Sequence, residues 1–177
     1  MILIGLGSNR AGAWGDPAAT LQNAVGVLAA TAGTRIVRQS GLYETAGVGP
    51  GQPGVFANAV IAIDCHCAPD ALLRRLKMIE RAAGPRSARR WGPRPLDLDI
   101  LDYRGRIVGW RDPDQSNDAT LRNRIILPHP LMHVRPFVLA PLNEIAPTWR
   151  HPVIKRTARE LWARTRHERS GRVLKRL

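Results

Sequence analysis

Cysteine is nearly missing from this chain. Two occur in 177 residues, Cys65 and Cys67, and they stand too close together to staple distant parts of a fold, which excludes a disulfide-built scaffold. Cys65-His66-Cys67 also has the wrong spacing and too few ligands for a zinc site. No apolar run is long enough to cross a bilayer, so no membrane partner is expected. The opening Met1-Ile2-Leu3-Ile4-Gly5 has neither a basic leader nor a long apolar stretch; no signal peptide is expected, and the cytoplasm is the expected compartment. The chain has no Walker A motif. Gly5-Leu6-Gly7-Ser8-Asn9 is half of a dinucleotide fingerprint but lacks the third glycine, which is Arg10 here. Any phosphate chemistry must therefore use groups other than the two standard glycine-rich cradles. No internal repeat is present.

Acidic residues are also scarce, 14 against 27 Lys and Arg, for a net charge of +13. From Arg150 to Leu177 there are ten Lys/Arg and two Glu, a net +8. Such a tail could bind nucleic acid. It holds one aromatic, Trp162, and no stacking series, so an amphipathic helix with a frayed end is the preferred reading and nucleic acid is not expected as a partner. A hydrophobic content of 44% suits a globular chain, and the length suits one domain. Residues 1–149 are expected to form it, with 150–177 as a basic helix and tail packed on it or trailing it. A monomer is expected.

Taken in order, residues 2–6 read as a buried strand. Asp16-Pro17 opens a helix through Leu21, Val25, Leu28 and Ala29, which Gly33 ends. Arg35 to Tyr43 reads as one strand. Thr45 to Gly54, rich in Gly and Pro, is a loop of the kind that carries binding groups. Val55 to Asp64 is apolar on both faces and reads as a central strand, with Asn58 its one buried amide; such a group needs a partner in the protein or in a ligand. Pro69-Asp70 starts a second helix, ending at Gly84-Pro85. Asp102 to Arg106 reads as a hairpin turn with a return at Ile107-Val108, and 111–123 as a mobile polar loop. Leu131 to Ile145 looks helical, shortened or broken by Pro136 and Pro141. A last helix is expected over 153–167. The order is βαββαβ with additional C-terminal elements, an α+β, ferredoxin-like pattern.

The chemistry concentrates in Arg89-Arg90-Trp91-Gly92-Pro93-Arg94-Pro95-Leu96-Asp97-Leu98-Asp99-Ile100. Leu96, Leu98 and Ile100 would face one side of a strand, Asp97 and Asp99 the other. Their Cα atoms would lie roughly 6.5–7 Å apart. From Arg81 to Leu96 there are five arginines and no acid, a poor pattern for surface ion pairs and a good one for holding a polyanion. A carboxylate pair that repels itself beside such a cluster suits hard divalent cations, and Mg²⁺ commonly takes one or two carboxylates plus substrate phosphates. Arginines would take the remaining phosphate oxygens. His129, stiffened between Pro128 and Pro130, is placed to direct an imidazole at a phosphate. His133 could share a metal with it, the less favoured reading.

Together these stretches resemble the 6-hydroxymethyl-7,8-dihydropterin pyrophosphokinase family of folate biosynthesis. The resemblance runs from Gly7-Ser8-Asn9 to about Pro147. It takes in Tyr43-Glu44-Thr45, Phe56-Ala57-Asn58-Ala59, the Arg90–Ile100 block, Pro128-His129, Arg135-Pro136-Phe137 and Pro141 to Pro147. It implies transfer of a diphosphate from ATP to the pterin hydroxymethyl group, leaving AMP. It further implies two Mg²⁺ ions on Asp97 and Asp99, with Arg94, Arg90 and His129 on the phosphates. Phe56 and Phe137 would sandwich the pterin with Trp91 close by, while Asn58, Thr45 and the backbone near Val48 read its amide edge. Arg135 would move with the closing loop, and Glu80, Arg86, Ile100 and Arg124 would lie near the nucleotide. The sequence departs from the family in a longer 111–123 loop, a shorter arginine loop, and Ile126 at a position where a hydroxyl can contact the nucleotide. A basic nucleic-acid-binding module or an inactive relative are the alternatives.

Overall fold

The computed structural model describes residues 1–48, 54–85, 94–110 and 125–177. Its centre is a strand with two different faces, β1 (Ile2–Ser8). Ile2, Ile4 and Leu6 join one apolar core and Leu3 joins the other. Beyond Leu3 that second face carries only Gly5 and Gly7. β1 is flanked by β4 (Val55–Cys65) and β5 (Asp97–Tyr103), both antiparallel to it. The six-stranded sheet runs β5-β1-β4-β3-β6, and β2 also pairs with β4.

The expected single strand from Arg35 to Tyr43 is in fact two, β2 (Thr34–Gln39) and β3 (Tyr43–Ala46), which share one edge of β4. The break is at Ser40. Its hydroxyl accepts the Val60 N–H at 3.0 Å while its own N–H donates to the Val60 carbonyl, also at 3.0 Å. A side-chain oxygen thus replaces a ladder carbonyl and the chain changes course without leaving a buried donor unpaired.

Helices cover both faces. α1 (Pro17–Ala30) begins where Asp16 accepts the Ala19 N–H at 2.8 Å, and α2 (Pro69–Ala83) begins on Pro69. These two pack over Ile4, Ile61, Ile63, Leu98 and Ile100. α3 (Pro136–Ile145) and α4 (Ala158–Thr165) cover the other face with Leu3, Val60 and Leu101. Pro136 starts α3 rather than breaking it, since a first-turn proline has no N–H to lose, and Pro141 lies inside the helix. The residues before Pro136 form one 3-10 turn, Met132–Val134. The last helix is shorter than the expected 153–167, because the capping box of Thr157 and Glu160 sets its start.

Two further expectations are corrected. The turn after β5 forms, with Arg104 at φ 53° and Gly105 at φ 71°, but the return at Ile107-Val108 is only a bridge from Val108 to Leu127. The basic end is not frayed: β6 (Val173–Arg176) pairs with β3. Lys175 lies 3.4 Å from Glu44, and Arg176 lies 2.6 Å from Glu144. Glu144 also accepts from the Gly41 N–H and, at 2.8 Å, from the Tyr43 hydroxyl. Burial and that carboxylate hold the Tyr43 phenol up to about 12. One carboxylate thereby ties α3 to both β3 and β6. No helix among the described residues is long and apolar enough to cross a membrane.

Behind α3, His151 is fully buried, its ring 5.6 Å from that of His133, 5.8 Å from Trp149 and 6.2 Å from Trp110 between centroids. Its Nδ1 accepts the Val153 and Ile154 N–H groups, each at 3.2 Å. Burial first, then the neighbouring His133, lower its pKa to about 4. The folded protein therefore binds the neutral ring, and stability falls as pH drops from the ordinary 6.5 toward 4. A shift of that size corresponds to about 3 kcal/mol. Urea titrations across that window should show this loss, and His151→Asn, which keeps an acceptor for the two N–H groups, should flatten it. Thr157→Ala should cost about 1 kcal/mol at neutral pH in the same measurement, because it removes the cap of α4.

Candidate active site

Where β1 presents Gly5 and Gly7, the sheet has a bare floor. Gly7 is registered opposite Asp97 on β5 and Asn58 on β4, and Gly5 opposite Asp99 and Val60. A β-carbon at Gly7 would come within 3.1 Å of Asn58 Oδ1, and one at Gly5 within 3.2 Å of Leu101. Above this floor lies a cavity of about 380 Å³, within the usual size of small-ligand sites. Of the residues given a ligand or metal role from sequence, ten line it: Thr45, Val48, Phe56, Asn58, Arg94, Asp97, Asp99, His129, Arg135 and Phe137.

The polar end is built around β5. The alternation of Leu96 to Ile100 sends Leu98 and Ile100 into the core under α2 and leaves Asp97 and Asp99 on the cavity side. Arg94 Nη1 donates to Asp97 Oδ2 at 2.9 Å. The backbone of Arg94 is itself clipped by Asn9, whose Oδ1 accepts its N–H at 2.8 Å and whose own N–H donates to its carbonyl at 3.3 Å. This gives the Gly7-Ser8-Asn9 strand end a job that no glycine-rich cradle performs. His129 N–H donates to the Leu101 carbonyl at 2.8 Å, and its Nδ1 accepts the Leu131 N–H at 3.2 Å. Its proton therefore belongs on Nε2, which lies 4.0 Å from Asp99 Oδ2. Burial outweighs the pull of Asp99 and, with help from Arg135, holds the imidazole below its ordinary pKa. The ring is a neutral N–H donor facing the acids.

The flat end lies between β3, β4 and α3. Phe56 pairs across from Thr45, Phe137 stands in the first turn of α3, and Asn58 Nδ2 donates to Thr45 Oγ1 at 2.7 Å. The buried amide thus has a protein partner and still borders the cavity. Arg135 lies 5.6 Å over the Phe137 ring, a cation on an aromatic face. Its burial lowers its pKa, against the opposing pull of Asp99 and Asp97.

Several expectations change. Glu80 is not on the cavity wall among the described residues: it is 3% exposed, and its Oε1 accepts from Lys77 Nζ and the Leu98 N–H, each at 2.7 Å. Burial, the largest influence, raises its pKa. Ile100 is likewise turned into the core by strand alternation. His133 packs with Trp110 and His151, and the cavity lining holds His129 but not His133. Arg86, Arg90, Trp91 and Arg124 lie outside the described residues. Conversely, Lys77, Leu101 and Val138 line the cavity without having stood out in the sequence. Lys77 had a detectable signal, since it precedes Glu80 by three on α2 and so shares its helical face. Leu101 and Val138 are ordinary apolar residues and carry none.

Asp97 and Asp99 can be tested against a divalent cation on their own geometry. They share one face, no side chain from β1 covers them, and Asp99 is 41% exposed. No cluster of three His, Cys, Asp or Glu side chains suitable for a metal occurs among the described residues. A cation here would complete its shell from substrate oxygens and water, the habit of Mg²⁺ rather than of a zinc or calcium cage. The residues fit.

Comparison with known proteins agrees with this geometry. The 7,8-dihydro-6-hydroxymethylpterin-pyrophosphokinase (HPPK) family profile matches residues 3–147. A 2-amino-4-hydroxy-6-hydroxymethyldihydropteridine pyrophosphokinase from Methylorubrum extorquens is 44% identical over 144 residues, spanning 81% of each chain. One from Pseudomonas aeruginosa is 38% identical over 151 residues, 85% of this chain and 83% of that one. Among solved structures, the wild-type Plasmodium falciparum HPPK-DHPS superposes with a TM-score of 0.66 at 14% identity, a likeness of fold. It covers 92% of this chain, which spans only 44% of that longer one. The nucleic-acid module and the inactive relative are not favoured by these matches, and the chain belongs to the 7,8-dihydro-6-hydroxymethylpterin-pyrophosphokinase family.

Proposed function

We propose that the cavity takes ATP at its polar end and 6-hydroxymethyl-7,8-dihydropterin at its flat end, so that the pterin hydroxyl attacks the β-phosphorus and AMP leaves. The family reaction is pyrophosphoryl transfer in folate biosynthesis. The observation that carries the site assignment is the row Asp97–Gly7–Asn58 across three strands. In that row one of the two acids and the buried amide are separated across the sheet by a glycine alone, which supports a shared floor for both ligands.

Asp97 and Asp99 would hold two Mg²⁺ ions. When bound, these supply positive charge against the triphosphate. Arg94, tied at its backbone by Asn9, supplies a fixed fork for phosphate oxygens, and the neutral Nε2–H of His129 donates to another. Lys77 adds a cation at the rim. Phe56 and Phe137 stack on the pterin, and leaving the ring of Phe137 frees Arg135 for the phosphates. Asn58 and Thr45 offer hydrogen bonds to its amide edge. Little bond-making falls to the protein, so positioning and charge stabilisation are its main contributions. Arg90 and Trp91 retain the roles that the resemblance implies.

The same reading takes the strand order as ferredoxin-like, with β2 and β3 together filling one edge position. It keeps residues 1–149 as the pyrophosphokinase domain, with 150–177 part of the same folded unit through β6. It places a monomer in the cytoplasm. Lys175 faces Glu44 on β3 and Arg176 faces Glu144 on α3, which favours this over a free nucleic-acid-binding tail.

Mixing ATP, Mg²⁺ and the dihydropterin should release AMP in amounts equal to the pterin diphosphate. Asp97→Ala and Asp99→Ala should each lower kcat by roughly two orders of magnitude or more with unchanged circular dichroism; a fully active double variant would overturn the acid-pair assignment. Phe137→Ala should raise KM for the pterin about tenfold, the scale of one lost aromatic stack, and leave KM for ATP within twofold.

A further inference from the structure

The family profile ends at residue 147, yet a later segment touches the flat end of the cavity. After α4 the chain turns through Arg169–Arg172, and Gly171 is buried at φ 68°. The Arg172 carbonyl then accepts the Ala46 N–H at 2.9 Å, and Val173 registers with Thr45. The turn is thus fixed to the strand that carries Thr45 and leads to Val48. A β-carbon at Gly171 would fall 2.6 Å from Phe137 Cδ1, 3.3 Å from Phe137 Cε1 and 3.2 Å from Val48 Cγ2. The first of these is closer than real side chains come, and both partners line the cavity.

We infer that Gly171 is a positioning residue for the pterin subsite: by having no side chain, it lets the C-terminal turn back Phe137 and Val48 and sets where the stacking ring stands. The inference rests on the proposed pterin reading and deepens it. It acts through Phe137, not on the substrate. The nearest neighbours of that position are Phe137 and Val48, not the phosphate end built from β5, Asn9 and His129, so an effect at Gly171 should separate the two ligands.

The test is equilibrium titration of the full chain with the dihydropterin, in saturating non-hydrolysable ATP analogue and Mg²⁺, and with the analogue alone. Gly171→Ala should weaken pterin binding roughly tenfold, the scale of one aromatic stack, with analogue affinity within twofold. Gly105→Ala serves as the control for backbone strain, because Gly105 has a similar φ of 71° and open space around it; it should leave both affinities unchanged. In a Phe137→Leu background, where a smaller side chain can yield, the added loss on Gly171→Ala should shrink to about threefold or less. Unchanged pterin binding in Gly171→Ala, parallel loss of both ligands, or an undiminished loss in the Phe137→Leu background would each overturn the inference. Failure of the unmodified chain to bind pterin would overturn the reading beneath it. Hydrogen exchange on the unmodified chain tests the same point without a variant. Pterin should slow exchange of the Ala46 N–H, bonded to Arg172, and leave the Val108 N–H, bonded to Leu127, unchanged; no slowing at Ala46 would also overturn it.

Discussion

Two carboxylates side by side on one strand face repel, and the structure holds them there beside the cationic side chains of Arg94 and Arg135. The neighbouring strand gives them glycines, not partners, at Gly7 and Gly5. Arg94 reaches one oxygen of Asp97, and His129 faces Asp99 as a neutral donor. A fuller set of ion pairs would have quieted the acids and stabilised the empty protein at the expense of its use. Acids held close together by a rigid sheet, among cationic side chains, are the usual condition of a site meant to receive a charged ligand.

Much of this was legible in the sequence because it is local. The Leu96–Ile100 alternation fixed the faces of β5, and the two-faced apolar character of Val55–Asp64 marked β4 as central. Asp16-Pro17 and Pro69 marked helix starts by chain geometry alone. What escaped reading is what depends on distant contacts. Arg35–Tyr43 looks like one strand until the Ser40 hydroxyl meets Val60. The basic tail looks solvated until Glu44 and Glu144 are brought beside it. Glu80 and Ile100 came to the nucleotide list through resemblance, and their burial among the described residues follows from α2 and β5 packing face to face. Pro141 shows a further limit: a proline in a helix reads as a break, yet packing of α3 on β4 and α4 carries the helix through it.

The C-terminal elements add a second lesson. α4 and β6 are not an appendage to a finished domain. Glu144 gathers Tyr43, Gly41 and Arg176 at one carboxylate, so the far end of α3 is fastened to the same strands that border the flat end of the cavity. The first turn of α3, with Phe137, and the turn at Gly171 meet at the other end of those strands. The slot is framed from both ends by residues that a count of ligand contacts would leave out.

The carboxylate of Glu80 joins the last turn of α2 to the Leu98 N–H, between the two acids on β5, the terminal strand of the sheet. Because adjacent residues of a strand move as one, the spacing and tilt of the acid pair are set in part by the buried face of a helix whose Lys77 also reaches the cavity. A small molecule or a crowding substitution that wedged α2 away from β5 would loosen the acid pair without occupying the place of either ligand.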